Sequence, residues 1–152
     1  MNKNIYMIFE TKMRSAALTL TLSLIFWSCN SISVFSPEAY NQAVDLKVES
    51  INLMSNATMP YADFVEEADY LEIELTKAYE FAKGRPDNEI STRQWEILIN
   101  PDGNLLGGYL KRWEEEETLS QMFVTEMQVL VGDAFDTIIG LESGKIDPSE
   151  IK

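Results

Sequence analysis

Residues 118–144 read TLSQMFVTEMQVLVGDAFDTIIGLESG, and this stretch decides the fold. Thr118-Leu119-Ser120-Gln121 has the form of a capping box, in which side chains satisfy the free N–H groups of a helix start. Leu119, Met122, Phe123, Met127, Leu130, Val131, Ala134, Phe135, Ile138 and Leu141 follow in helical phase. Gly144 supplies the stop. The spacing predicts an amphipathic helix of about 24 residues, roughly 36 Å long. Its apolar face needs partners.

The chain upstream supplies them. Ser36-Pro37-Glu38 joins a cap residue, a first-turn proline and a first-turn acid. Tyr40, Val44, Val48, Ile51 and Met54 then form a stripe at three- and four-residue steps. A second helix is expected from Pro60 to Lys83. Phe64, Ala68, Leu71, Leu75, Ala78 and Ala82 make its heptad-like seam, and Gly84 ends it. Ser91-Thr92-Arg93-Gln94 reads as a further capping box before Trp95, Leu98 and Ile99. Asn100-Pro101-Asp102-Gly103 is a strong turn signal, which also suits a hairpin pairing residues 95–99 with 105–110. The helical spacing of Leu105, Leu106, Tyr109, Leu110 and Trp113 favours helices, with Gly107-Gly108 allowing a close crossing. The expected fold is therefore all-α, a compact four- to five-helix bundle over residues 36–145. Residues 146–152 would be a flexible tail. The core is expected to include Leu75 and Leu130, with Met54, Met59, Met122 and Met127 as fillers.

Composition narrows the chemistry. The 152 residues hold no His and one Cys, against 12 Lys+Arg and 25 Asp+Glu, a net charge of −13. Without His there is no histidine metal site and no Ser-His-Asp or Cys-His nucleophile system. One Cys excludes an intrachain disulfide framework and a thiolate zinc cluster. The negative charge argues against nucleic acid, whose phosphates need clustered Lys and Arg. No catalytic constellation, metal site or cofactor site is expected. The nearest oxygen-rich loop, Asn100-Pro101-Asp102-Gly103-Asn104, reads as a turn rather than a Ca²⁺ site.

Residues 1–28 stand apart. Lys3, Lys12 and Arg14 face one acid, Glu10, and residues 16–27 run apolar except for Thr19, Thr21 and Ser23. That run is too short to span roughly 30 Å of hydrocarbon and suits the apolar region of a secretory signal peptide, with Met1 or Met13 as the start. The sequence Leu24-Ile25-Phe26-Trp27-Ser28-Cys29 resembles the lipobox of bacterial lipoproteins, in the looser form met in Bacteroidota-like bacteria. The resemblance implies cleavage before Cys29, diacylation of its sulfur and acylation of the new N-terminus. Two or more acyl chains anchor a protein stably.

Processing would remove three basic residues and one acid, leaving 9 Lys+Arg against 24 Asp+Glu, a net charge of −15. Residues 29–35 would be a lipidated tether of at most roughly 25 Å. The stretch Asn30-Ser31-Ile32-Ser33-Val34-Phe35 has no acid. It thus lacks both the acidic export signal of some such lipoproteins and the Asp that retains enteric ones at the inner membrane. The implied location is the periplasmic face of the outer membrane.

Among exposed features, the run Glu114, Glu115, Glu116 and Glu117 is the densest charge and the candidate docking patch for a basic protein. The leading functional expectation is a membrane-anchored, non-enzymatic interaction module, of which an immunity or inhibitor protein is one form. The alternative is a periplasmic carrier with a small-ligand pocket between helices near Trp95, Tyr109 and Trp113. Asn56-Ala57-Thr58 and Asp136-Thr137-Ile138 match short glycosylation patterns, which arise often by chance.

Overall fold

A computed structural model describes residues 35–151. Cys29, the lipobox around it and the tether before Phe35 lie outside the described residues. The described chain is all-α, with five helices and no strand: α1 Pro37–Met54, α2 Val65–Gly84, α3 Glu89–Ile99, α4 Leu106–Glu116 and α5 Gln121–Glu142. Single 3₁₀ turns lie at Tyr61–Asp63 and Pro148–Glu150.

Four of the helices close a ring. α1 packs on α2, α2 on α3, α3 on α5, and α5 back on α1. Helix α5 runs antiparallel to both of its neighbours. Lys47 pairs with Asp136 at 2.6 Å while Gln128 Nε2 donates to the Ile51 carbonyl, and Ser91 meets Glu142 while Trp95 meets Phe135. Helix α4 closes the end of the ring where α1 gives way to α2. Its Tyr109 hydroxyl donates to the Met54 carbonyl at 2.9 Å, and its Trp113 Nε1–H donates to the Met59 carbonyl at 3.0 Å. The core therefore holds Trp95, Tyr109, Trp113 and Phe135 beside the aliphatic seams of α1, α2 and α5.

The glycine pair of α4 makes its seat. A Cβ on Gly107 would stand 2.3 Å from the Ile99 carbonyl oxygen, and one on Gly108 1.9 Å from that of Gly103. Helices joined by the turn at Asn100–Gly103, not a hairpin, are the outcome for residues 89–116.

The cap of α1 is as the sequence predicts, with Ser36 Oγ accepting from Ala39 N–H at 3.2 Å. Elsewhere the details differ. The buried face of α1 is Ala39, Ala43, Leu46, Ser50, Leu53 and Met54. It shares Met54 with the expected stripe and otherwise lies beside it, and Val48 is exposed. Small Ala39, Ala43 and Ser50 let neighbouring helices approach, a face that a search for large apolar residues passes over.

Helix α2 begins at Val65 after the 3₁₀ turn, not at Pro60. Neither expected capping box forms. Asn88 stands at the start of α3, and its side chain donates to the Ala82 carbonyl, tying α3 to the end of α2. Ser91 lies inside the helix. At α5 the cap is Ser120, whose Oγ accepts from Phe123 N–H, whereas Leu119 N–H donates to the Ala57 carbonyl.

Helix α5 buries Val124, Met127, Val131, Phe135 and Ile138. Its predicted stripe was too wide, because partners on two sides cover only the positions between them. Leu130 is 51% exposed and Met122 74%, so neither is core, and Met59 also stands out in solvent. Beyond α5, Ile146 packs its side chain onto Gly140.

Candidate docking surface

The acids of α1 on the side toward α2 recur at helical spacing, Glu38, Asp45 and Glu49, and the buried Leu53 continues that line into the core. Opposite them stand Phe64, just before α2, and Glu66, Glu67, Tyr70 and Glu74 of α2. Residues three and four apart share a helix face, so the two helices form the walls of a groove. It consists of two adjoining hollows of about 530 and 600 Å³ that share Glu49 and Tyr70. Leu53, Phe64 and Leu71 give the first hollow an apolar floor, and Leu46 belongs to the second. Tyr70 stands at the junction with 59% of its surface exposed.

The groove is electrostatically one-sided. No Lys or Arg lines either hollow. Glu74 is paired with Lys77 at 2.6 Å. Among the described residues Glu38, Asp45, Glu49, Glu66 and Glu67 have no ion pair. Five cations of the bundle pair with acids outside the groove: Lys47 with Asp136, Lys83 with Glu80, Arg93 with Glu96, Lys111 with Asp102 and Arg112 with Glu116.

The run from Glu114 to Glu117 is exposed, but its members do not act together. Glu116 accepts from Arg112 Nε at 2.8 Å. Glu114 joins a small carboxylate cluster with Asp69 and Glu72 beside Tyr61. Partial burial, then Asp69 and Glu114, push the Glu72 carboxyl above its usual range, and burial followed by Glu114, Glu72 and Asp69 raises the Tyr61 phenol. Glu117 is a backbone corner. At φ 62° and ψ −38° it is the central residue of a γ-turn closed by Thr118 N–H on the Glu116 carbonyl at 2.7 Å, and its own carbonyl accepts from Tyr61 N–H at 2.9 Å.

The aromatics singled out from the sequence are packed. Trp113 is fully buried between Tyr61 and Phe64, with ring centroids at 5.3 and 5.6 Å. Trp95 meets Phe135 edge to face at 5.9 Å. Tyr109 stacks on Phe123, and burial raises its phenol well above the usual value.

The two short glycosylation patterns also have structural uses. Asn56 Nδ2 donates to the Asn52 carbonyl, and Asp136 and Thr137 lie on α5, with Thr137 Oγ1 donating to the Asp133 carbonyl.

Two further features escaped the sequence reading. One is the groove itself, whose acids looked like a solvated helix face; its signal was the matching acidic spacing on two consecutive helices. The other is Glu142, whose side chain is 2% exposed and held by Arg85 and Ser91. Nothing in the sequence marks that acid as buried, since it becomes so only when α2, α3 and α5 meet. No protein-family model, curated protein or solved structure matches this chain. Among the described residues, no cluster of acids has the arrangement of a metal site and no helix is long and apolar enough to cross a membrane.

Proposed function

We propose that the chain is a lipid-anchored, non-enzymatic interaction module of the cell envelope that binds a basic protein. The single observation that carries the binding half of this reading is the α1–α2 groove, where among the described residues Glu38, Asp45, Glu49, Glu66 and Glu67 have no ion pair and Glu74 alone is paired, with Lys77. Such a surface attracts positive partners, accelerates their association and repels anionic ones. The anchoring half is supported by the lipobox-like sequence ending at Cys29, and the absence of acids in residues 30–35 supports the periplasmic face of the outer membrane as its site. An immunity or inhibitor protein against a basic toxin is one form such a module takes. The alternative reading as a ligand carrier put its pocket at Trp95 and Trp113, and both rings are occupied by packing.

Two measurements test the proposal. Cells fed labelled palmitate should label the wild-type protein and not Cys29→Ala, and the variant should leave the membrane fraction. Capture of the full chain from envelope extracts through a C-terminal tag should retain a basic protein that salt releases. Label on the Ala variant ends the anchoring half, and a retained partner of acidic composition ends the binding half.

A further inference from the structure

We propose that the α1–α2 groove is the docking site for a cationic amphipathic helix of the partner, a claim that rests on the interaction-module reading above. Three properties of the groove fix that occupant.

Its walls and floor differ in kind. Glu49 of α1 and Glu66 and Glu67 of α2 line one hollow with Leu53, Phe64 and Leu71; the two leucines are buried beneath it, and Phe64 is the part of this apolar floor still open to solvent. An occupant must therefore present apolar side chains downward and positive ones to both sides, which is the pattern of a helix with a Leu-like stripe flanked by Lys or Arg.

Its length is also informative. Fifteen helical steps separate Glu38 from Leu53, about 22 Å. A helix of about 14 residues covers that span.

Tyr70 is the third property. It lies at the junction of the hollows, more than half exposed, with acids of both walls around it. An exposed ring face beside carboxylates suits a Lys or Arg side chain, which gains the ring's quadrupole and the carboxylate charge together. A purely polar polycation would leave Phe64 and the Tyr70 ring uncovered, and an apolar helix without cations would leave five carboxylates beside it unpaired.

The test uses the full chain and a synthetic peptide of about 14 residues, Leu and Lys arranged so that Leu forms one helical face. A second peptide has the same composition in a scrambled order without a helical stripe. Binding is followed by fluorescence anisotropy at physiological salt. The amphipathic peptide should bind at least about tenfold more tightly than the scrambled one, a difference of about 1.4 kcal/mol. Tyr70→Ala and the pair Glu49→Gln with Glu67→Gln should each weaken it about tenfold. The pair Glu114→Gln with Glu115→Gln should change it less than about twofold, since those carboxylates lie off the groove.

Equal binding of the two peptides, or an unchanged affinity for Tyr70→Ala, overturns the groove assignment. The two claims fail separately. An envelope partner whose capture is insensitive to Tyr70→Ala removes the groove and leaves the interaction module. Groove-dependent peptide binding with only acidic proteins captured from the envelope supports the groove and removes the basic-partner reading.

Discussion

Two acidic regions of this bundle look alike in composition and differ in use. Residues 114–117 hold four consecutive glutamates, the densest charge in the chain. The α1–α2 groove draws its acids from separate positions on two helices, yet it forms the open negative surface. Consecutive residues on a helix point about 100° apart, so a run of four disperses its charge around the axis. Residues three and four apart align, and a neighbouring helix doubles the effect. Linear density therefore overstates the run and hides the groove. The run also lies at a structural corner. Between Trp113 and Leu119 the chain leaves α4, makes the γ-turn at Glu117 and is bonded to Ala57, Met59 and Tyr61, so its backbone serves the fold more than its carboxylates serve a partner.

The largest expected effect breaks the corner side of the comparison. Trp113→Ala removes a fully buried indole wedged between Tyr61 and Phe64 and the donor to the Met59 carbonyl. It should cost about 3–5 kcal/mol in urea unfolding. Tyr70→Ala in the groove should cost less than about 0.5 kcal/mol, as exposed substitutions do. Comparable losses would mean that the groove is part of the core and not a surface awaiting a partner.

The same contrast separates what the sequence made legible. The α2 seam was readable except at its first member: Ala68, Leu71, Leu75, Ala78 and Ala82 are all buried, because their four-and-three spacing leaves one narrow stripe, whereas Phe64 precedes the helix and is only partly buried. Helix α5 was readable as a helix and misread as a surface. Its many apolar residues permit several faces, and only the positions of α1 and α3 select Val124, Val131, Phe135 and Ile138 over Met122 and Leu130. The helix starts at Asn88 and Ser120 were obscured by neighbouring residues that fit the motif equally well, Ser91 after the one and Thr118 before the other.

The groove was the least legible of all. Its parts are ordinary solvent-facing acids until two helices are laid side by side. This gives a paired test of intermediate size: Leu75→Ala should cost about 2–5 kcal/mol, whereas Leu130→Ala should cost less than about 0.5 kcal/mol. A large loss at Leu130 would show that its exposed face is covered in solution.

Glu117 sharpens the claim that the run is architectural. A residue other than glycine at φ 62° is strained by roughly 1–3 kcal/mol. Glycine removes that strain and adds about 0.5–1 kcal/mol of unfolded-state entropy. Glu117→Gly should therefore raise stability by about 1 kcal/mol, while Glu117→Ala, which keeps the strain, should not. Equal effects of the two variants would assign the change to charge alone.

On the groove side, the pair Glu49→Gln with Glu67→Gln removes two unpaired acids and should stabilise the free chain by a few tenths of a kcal/mol. The gain should fade as salt rises, because exposed charges are screened. A gain that persists in high salt would point to packing.

A pH dependence arises where Glu114 of the run meets the carboxylates of α2. Glu72 is largely exposed, yet partial burial, Asp69 and Glu114 raise its carboxyl above the ordinary value of 4.5. A carboxyl with a raised folded pKa binds its proton more tightly in the folded than in the unfolded chain, so stability falls as pH rises through that window. Below the ordinary value the side chain is neutral in both states and carries no penalty. At neutral pH it is charged in both, and the repulsion within the cluster is fully present. Glu72→Gln should therefore be more stable than the wild type at pH 7, by less than about 1 kcal/mol given solvent screening. The difference should shrink toward zero below about pH 4, where unfolded glutamate is protonated. Glu114→Gln should reproduce part of the gain at pH 7, whereas Glu115→Gln, which does not contribute to the Glu72 shift, should reproduce none. Urea midpoints of the three variants at the two pH values decide the matter. If Glu115→Gln matches Glu114→Gln, the run acts as a diffuse block of charge; if only Glu114 responds, its four carboxylates are as separate in effect as they are in direction.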